Sequence, residues 1–279
     1  MSFRALRSIL KVQPADLQSA VRLYLGLGIA MLAKLLMPRA FKSSGYWIPG
    51  TASLTVLLSG TIAKIRPRTT DLAVLAGSQE PATIRWLRPN PGEIVVDVGA
   101  HIGRYTLIAA RRGAKVVAVE PEPSNFSVLK ENIELNGFSN VIACQFALSN
   151  TTGRRSLYLG DNGQGDTATS SLDSSMMRER SGRTIERFSK QVDCLTLDNL
   201  MKSLHVSHVN WLKVDVEFHE IPVLEGGEST LRSTENLIIE VTHSNEDALL
   251  KIANKAGLRL VTVERNTGWN VDNLWLKRS

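Results

Sequence analysis

One acid, two glycines and a distant glutamate raise the first chemical question. Asp97-Val98-Gly99-Ala100-His101-Ile102-Gly103 begins within the expected strand Ile94–Val98, after the apolar Ile94-Val95-Val96, in a D-x-G-x-x-x-G spacing. A glycine turn between a strand and a helix brings the backbone close to a ligand at Gly99, and Gly103 lets the helix pack closely on the sheet. Glu120 ends the next apolar run, where a carboxylate accepts hydrogen bonds from ribose hydroxyls. Together these features describe a binding site for an adenine nucleoside. A dinucleotide would call for G-x-G-x-x-G and phosphoryl transfer for G-x-x-x-x-G-K-[ST], and neither spacing occurs here. An acid at Asp97 would repel a pyrophosphate but suits a cofactor bearing an ammonium and a sulfonium.

A second group lies further along the chain. Asp215 and Glu217 follow the expected buried strand Val209–Val214, and Glu240 and His243 lie at the end of the expected strand Leu237–Val241. Open α/β sheets bind ligands at the carboxyl ends of such strands. If a hydroxyl attacks there, a base within hydrogen-bonding reach removes its proton. Glu217, His219 and His243 are the candidates, Glu217 first because of its position. His219 also reads as a surface residue starting a helix, and His243 as a strand-end cap. Glu220 and Glu225 read as complements to a helix dipole. Asp215, Glu217, Glu240 and His243 could together hold a divalent ion, but no compact ligand motif is present and no metal is assigned.

The elements that must position these residues alternate from Glu93 onward. Strands are expected at Ile94–Val98, Lys115–Val119, Val141–Phe146, Ser156–Leu159, Val209–Val214, Leu237–Val241, Leu258–Val263 and Asn273–Lys277. Helices are expected at Ile102–Arg112, Ser124–Asn136, Leu197–Ser203, Pro222–Arg232 and Glu246–Ala256. This βα rhythm predicts a doubly wound, Rossmann-like α/β domain over residues 91–279, mostly parallel. Its last two strands are too close for a helical crossover, so they should pair antiparallel. The polar stretch 160–190 is too long for an ordinary connection and reads as a substrate lid. Trp86, Trp211, Trp269 and Trp275 read as core or seam residues.

Upstream, residues 51–90 predict a hairpin, Leu54–Leu58 and Thr61–Ile65 turning at Ser59-Gly60, then a short helix from about Thr70. Residues 1–50 form a basic extension, expected to be helical over 3–37, broken near Pro14 and ended by Pro38, with a linker at 43–50. The chain of 279 residues has a net charge of +6. Residues 1–50 hold Arg4, Arg7, Lys11, Arg22, Lys34, Arg39 and Lys42 against Asp16 alone, so they carry the whole excess. The apolar run Leu23–Ala33 is shorter than the about 20 residues a span needs. Its helix should pack on the domain, on a second copy of the chain, or in a bilayer interface, so residues 1–40 are a candidate peripheral membrane contact beside the plain reading of a solvated basic helix. No Lys/Arg tract alternates with aromatics, so nucleic acid is not an expected partner. Cys144 and Cys194 offer neither metal nor disulfide spacing, which fits a reducing, cytoplasmic compartment.

Val96–Leu107, then Val119-Glu120-Pro121-Glu122-Pro123-Ser124-Asn125, Leu197-Asp198 and Leu212-Lys213-Val214-Asp215-Val216-Glu217, with Glu220 and Val223-Leu224-Glu225-Gly226 behind, resemble the FkbM-type methyltransferases. The resemblance runs from about Thr51 to the end. It implies a class I fold, S-adenosylmethionine as cofactor, and O-methylation of a hydroxyl on a saccharide, lipid-linked glycan or other natural product. It also implies a cofactor site from Asp97, Gly99, Ala100, His101, Gly103, Tyr105, Thr106, Glu120, Pro121, Asn125, Ala147 and Asp215. Asp215 and Glu217 would face the transferred methyl group, with His243 as a further catalytic candidate. The chain departs from the family's pattern in two places: the family commonly has Asn at position 101 and reads Asp-Val-Glu-Gly-Ala-Glu where Phe218-His219 stand here. That departure supports the rival reading, a non-catalytic cofactor-binding scaffold. A nucleic-acid methyltransferase is the third.

Overall fold

The computed structural model describes residues 13–36, 54–67, 69–76, 81–159, 170–173, 189–265 and 270–279. Its centre is a seven-stranded sheet. Runs of valine, isoleucine and leucine make β4 (Ile94–Val98), β5 (Lys115–Val119), β6 (Val141–Cys144), β10 (Val209–Val214) and β11 (Thr234–Thr242). These strands pair in parallel, and most of their residues are buried, as in a sheet covered on both faces. β12 (Leu258–Glu264) and β13 (Val271–Arg278) complete the order β12-β13-β11-β10-β4-β5-β6. The expected antiparallel pairing of the last two strands holds, and β13 inserts between β11 and β12.

The connections from β4 run outward through α4 (Arg104–Arg111) and α5 (Pro123–Leu135) to β5 and β6 on one side. The chain then returns to β10, on the other side of β4. That reversal is the switch point at which such sheets open a ligand crevice. Gly99 follows β4 there and Asp215 follows β10. α5 begins with Pro123 at its first position and Glu122 as its cap, the carboxylate accepting from the Asn125 amide at 2.7 Å.

Several expectations needed correction. The single helix expected at Pro222–Arg232 is two, α7 (Glu220–Glu225) and α8 (Glu228–Arg232), broken at Gly226-Gly227. A Cβ at Gly226 would stand 2.1 Å from the Ser149 carbonyl oxygen, and one at Gly227 2.7 Å from Leu197. The break therefore lets the chain pass against α6 (Leu197–Ser203) and its neighbourhood. The expected strand Val141–Phe146 stops at Cys144. Ala147–Leu148 (β7) instead joins β9 (Ser189–Leu195) and β8 (Gly153–Tyr158) in a separate three-stranded sheet. Of the expected lid, 160–169 and 174–188 lie outside the described residues. Residues 170–173 are seated, with Ser171 and Tyr158 exchanging backbone hydrogen bonds at 2.8 and 2.9 Å.

The hairpin β2 (Leu54–Leu58) and β3 (Thr61–Ile65) turns at Ser59-Gly60 as expected. Two helices follow, α2 (Asp71–Ala76) and α3 (Pro81–Trp86), the second unforeseen. At Pro14 the expected helix break is a two-residue strand, β1 (Gln13–Pro14), paired to β2, before α1 (Leu17–Leu36). Residues 3–12 and the expected linker lie outside the described residues, as does Trp269. Trp275 stacks with Trp86 and Trp211, centroids 6.3 and 6.2 Å apart, inside the fold. Cys144 and Cys194 are buried and free. No helix among the described residues is long and apolar enough to cross a membrane.

Candidate active site

A cavity opens at the carboxyl ends of β4, β5, β10 and β11. It is lined by Gly99, Ala100, His101, Tyr105, Glu120, Pro121, Asn125, Ala147, Asp215 and Glu217 from the expected set, together with Arg104, Lys213, His219 and Glu240. Phe146, Leu148 and Leu157 give it an apolar side, and Ser170 and Leu172 close part of it. The fragment of the expected lid that is described therefore does border the site.

Three expected residues lie behind the wall. Asp97 is fully buried, accepts from the Thr106 hydroxyl at 2.6 Å and stands 3.9 Å from Lys213 Nζ. Burial raises its pKa, with Lys213 opposing. Thr106 and Asp97 thus brace the turn and do not reach the cavity. Gly103 also serves packing, since a Cβ there would come within 2.7 Å of Leu129 on α5. Gly99, at φ +80°, proves to be required by the protein itself. A Cβ there would stand 1.7 Å from the Asp215 carbonyl oxygen, so the glycine lets the β4 and β10 ends meet. Among the residues that reach the cavity, His101 holds φ 52°, a region in which both Asn and His are enriched. That explains how His stands where the family commonly has Asn.

Glu120 is buried and accepts from the amides of His101 and Glu122 at 2.9 Å each and from Asn125 Nδ2 at 3.3 Å. Desolvation nevertheless pushes it up to about 7. Its two oxygens offer about four acceptor sites, and a ribose hydroxyl can use what these three bonds leave. Unforeseen in the sequence is the brace behind it. Arg66, just after β3, contacts Asp71 through its amide, Nε and Nη2, and donates Nη1 to Ser124 and Nη2 to Asn125. Asp71 is fully buried and lies 3.9 Å from His101 Nε2. Burial holds His101 down at about 4.

Across the cavity, one carboxylate oxygen from each of Asp215, Glu217 and Glu240 lies within 4.8 Å of the other two. Lys213 donates to Asp215 at 3.0 Å and sits over the Tyr105 ring at 4.7 Å. Such an edge suits the ammonium and sulfonium of the expected cofactor. It holds three of the four residues weighed as metal ligands, but His243 turns away. Its Nε2 meets Asp272 at 2.9 Å and it is not among the cavity residues, so its catalytic assignment is corrected. His219, expected at the surface, is buried. Its Nε2 lies 2.9 Å from the Ser149 hydroxyl, and desolvation lowers it to about 4.

The loop between Asp215 and α7 carries the departure at Phe218. Glu217 and Phe218 have φ of 53° and 76°, so Phe218 adopts the left-handed conformation that glycine takes without strain. Glu220, expected only to complement a helix, turns back to accept from the amides of Val216 and Phe218 at 3.3 and 3.0 Å. Ser171 donates to the Glu217 carbonyl. These three bonds hold the loop with Phe218 in that conformation.

The switch-point cavity, a carboxylate beside the glycine turn and an acidic opposite edge define a Rossmann-like protein for a cationic nucleoside cofactor. The model of the FkbM methyltransferase domain matches residues 97–259, and the chain belongs to that family. It is 31% identical over 173 residues to the hexuronic acid methyltransferase AglP of Haloferax volcanii, covering 62% of this chain and 65% of that one. With methyltransferase sdnD of Sordaria araneosa it shares 31% over 176 residues, covering 55% and 67%. The matches thus span about two thirds of those relatives' lengths. Among solved structures, M. jannaschii TYW2 in complex with AdoMet is 16% identical with a TM-score of 0.46, covering 83% of this chain and 89% of that one.

Proposed function

We propose that the protein is an S-adenosylmethionine-dependent methyltransferase acting on a hydroxyl oxygen of a saccharide or another small natural product. The observation that carries this reading is the meeting of Glu120, Asp215, Glu217 and Glu240 in one cavity at the switch point. S-adenosylmethionine supplies an electrophilic methyl group on a sulfonium. Glu120 would hold the ribose hydroxyls, and Ala147, with Phe146 and Leu148, would form the apolar side against the adenine. Asp215, steadied by Lys213, would orient the cofactor's charged end. Methyl transfer needs an in-line approach, so positioning supplies much of the rate. Glu217 would accept the acceptor's proton, a role supported by its carboxylate's sharing the acidic edge. Similarity to a hexuronic acid methyltransferase supports a sugar acceptor.

Calorimetric titration of S-adenosylmethionine and its demethylated product into wild type and Glu120→Ala tests the cofactor. The expected result is tight binding by wild type and a loss of about 2 kcal/mol, near thirtyfold, in the variant. Well-folded wild type that binds neither ligand would defeat the reading.

A further inference from the structure

α1 presents an apolar stripe that nothing in the described chain covers. Leu17 is 81% exposed, Val21 56%, Tyr24 52% and Leu25 63%. Gly28 is exposed too, with nothing within 4 Å of where a Cβ would stand. Positions i, i+4, i+7, i+8 and i+11 share one side of a helix. The opposite side is accounted for. Leu23 is fully buried with Val56, Ala63, Ile65 and Leu72, and Ser19 bonds the Thr55 amide at 3.0 Å. Among the described residues the helix is therefore anchored by one side and uncovered on the other, and a contiguous exposed apolar stripe marks an interaction surface.

Charge decides among the occupants. Residues 1–50 carry the entire net charge of +6. Their one acid, Asp16, is engaged at the start of α1, accepting from the Ser19 amide at 2.7 Å and from the Thr55 hydroxyl at 2.5 Å. A second copy of the chain seated on this stripe would bring two such basic segments together. An anionic bilayer surface meets both properties at once, apolar residues entering the acyl boundary and basic ones meeting the headgroups. The buried side of α1, opposite the stripe, packs toward a helix that borders the active site. Leu23 of α1 shares an apolar cluster with Leu72 and Leu75 of α2, and Val74 of α2 lines the cavity.

We propose that the Leu17–Val21–Tyr24–Leu25 face of α1 docks the protein peripherally on anionic membrane surfaces. Docking does not depend on methyl transfer, so its failure would leave the proposed function standing.

The test is sedimentation of the full chain with phosphatidylcholine vesicles, with and without phosphatidylglycerol. Wild type is compared with Leu17→Gln/Val21→Gln/Leu25→Gln, and sedimentation velocity and melting temperature are recorded without lipid. Glutamine keeps helix propensity. The expected result is retention on the phosphatidylglycerol vesicles, weaker on neutral ones. The triple variant should lose about tenfold in partitioning, or 1.4 kcal/mol, at unchanged melting temperature. No retention of wild type, or equal retention of the variant, would overturn the proposal. So would a wild-type dimer that the triple variant dissolves, since the stripe would then be a contact between copies. If the triple variant does not fold, Leu17→Gln and Leu25→Gln singly give the same readout.

Discussion

Phe218 holds a left-handed backbone conformation that costs an L-residue roughly 1–2 kcal/mol, and two amide bonds to the buried Glu220 carboxylate keep that loop in place. Phe218→Gly should relieve the strain, offset in part by glycine's larger entropy loss on folding. A net gain of about 1 kcal/mol is expected in urea unfolding. A loss of stability would mean that the phenyl ring's packing outweighs the strain. The loop also shows what a motif conveys. The order Asp215, Glu217, Glu220 pointed to the correct strand end, but not to Glu220 turning back on its own loop. His243 illustrates the converse. Sequence placed it near the end of the correct strand, yet its ring pairs with Asp272, a partner in β13 that no local spacing reveals.

Among the elements, the hairpin does more than lead into the domain. Arg66 at its end reaches Asp71, Ser124 and Asn125, and Asn125 in turn reaches Glu120. Arg66→Met should cost about 3–5 kcal/mol because it leaves the Asp71 carboxylate buried without its main partner. Arg66→Met/Asp71→Asn should recover most of that loss, as read by chemical denaturation of both variants. No recovery would place the cost in lost packing. This brace was invisible in the sequence because its members sit tens of residues apart with no periodic relation. The parallel strands, by contrast, were legible because strands buried on both faces are mostly apolar runs, as in Val116–Val119. β9 was not, since Ser189–Leu195 places apolar side chains only at Val192, Cys194 and Leu195. The glycine pair at 226–227 read as helix interior because nothing local announces the Ser149 carbonyl that requires the break.

For the whole molecule, buried titratable groups set how stability follows pH. Glu120 and Glu220 ionise near 4.5 in the unfolded chain and near 7 when folded, so across that interval the folded protein holds extra protons. Their contribution falls as pH rises through it. His101 and His219 move from 6.5 down to about 4. Their contribution is present above 6.5 and is lost as pH falls toward 4, so the two pairs oppose each other. Glu120→Gln removes one descending contribution. Its unfolding free energy should therefore climb more steeply, or fall less, between pH 4.5 and 7 than that of wild type. Urea titrations at several pH values give the slope, and identical slopes would mean that folding leaves the ionisation of Glu120 unchanged. The order of the sheet has a further consequence, for synthesis. β13 lies between β11 and β12 although it follows both in the chain. The chain emerges from its N-terminal end, so β12 comes out ahead of the strand that joins it to the sheet. It must wait beside α9 (Glu246–Lys255) until β13 arrives, so this half of the sheet is completed from the inside outward, by its latest strand.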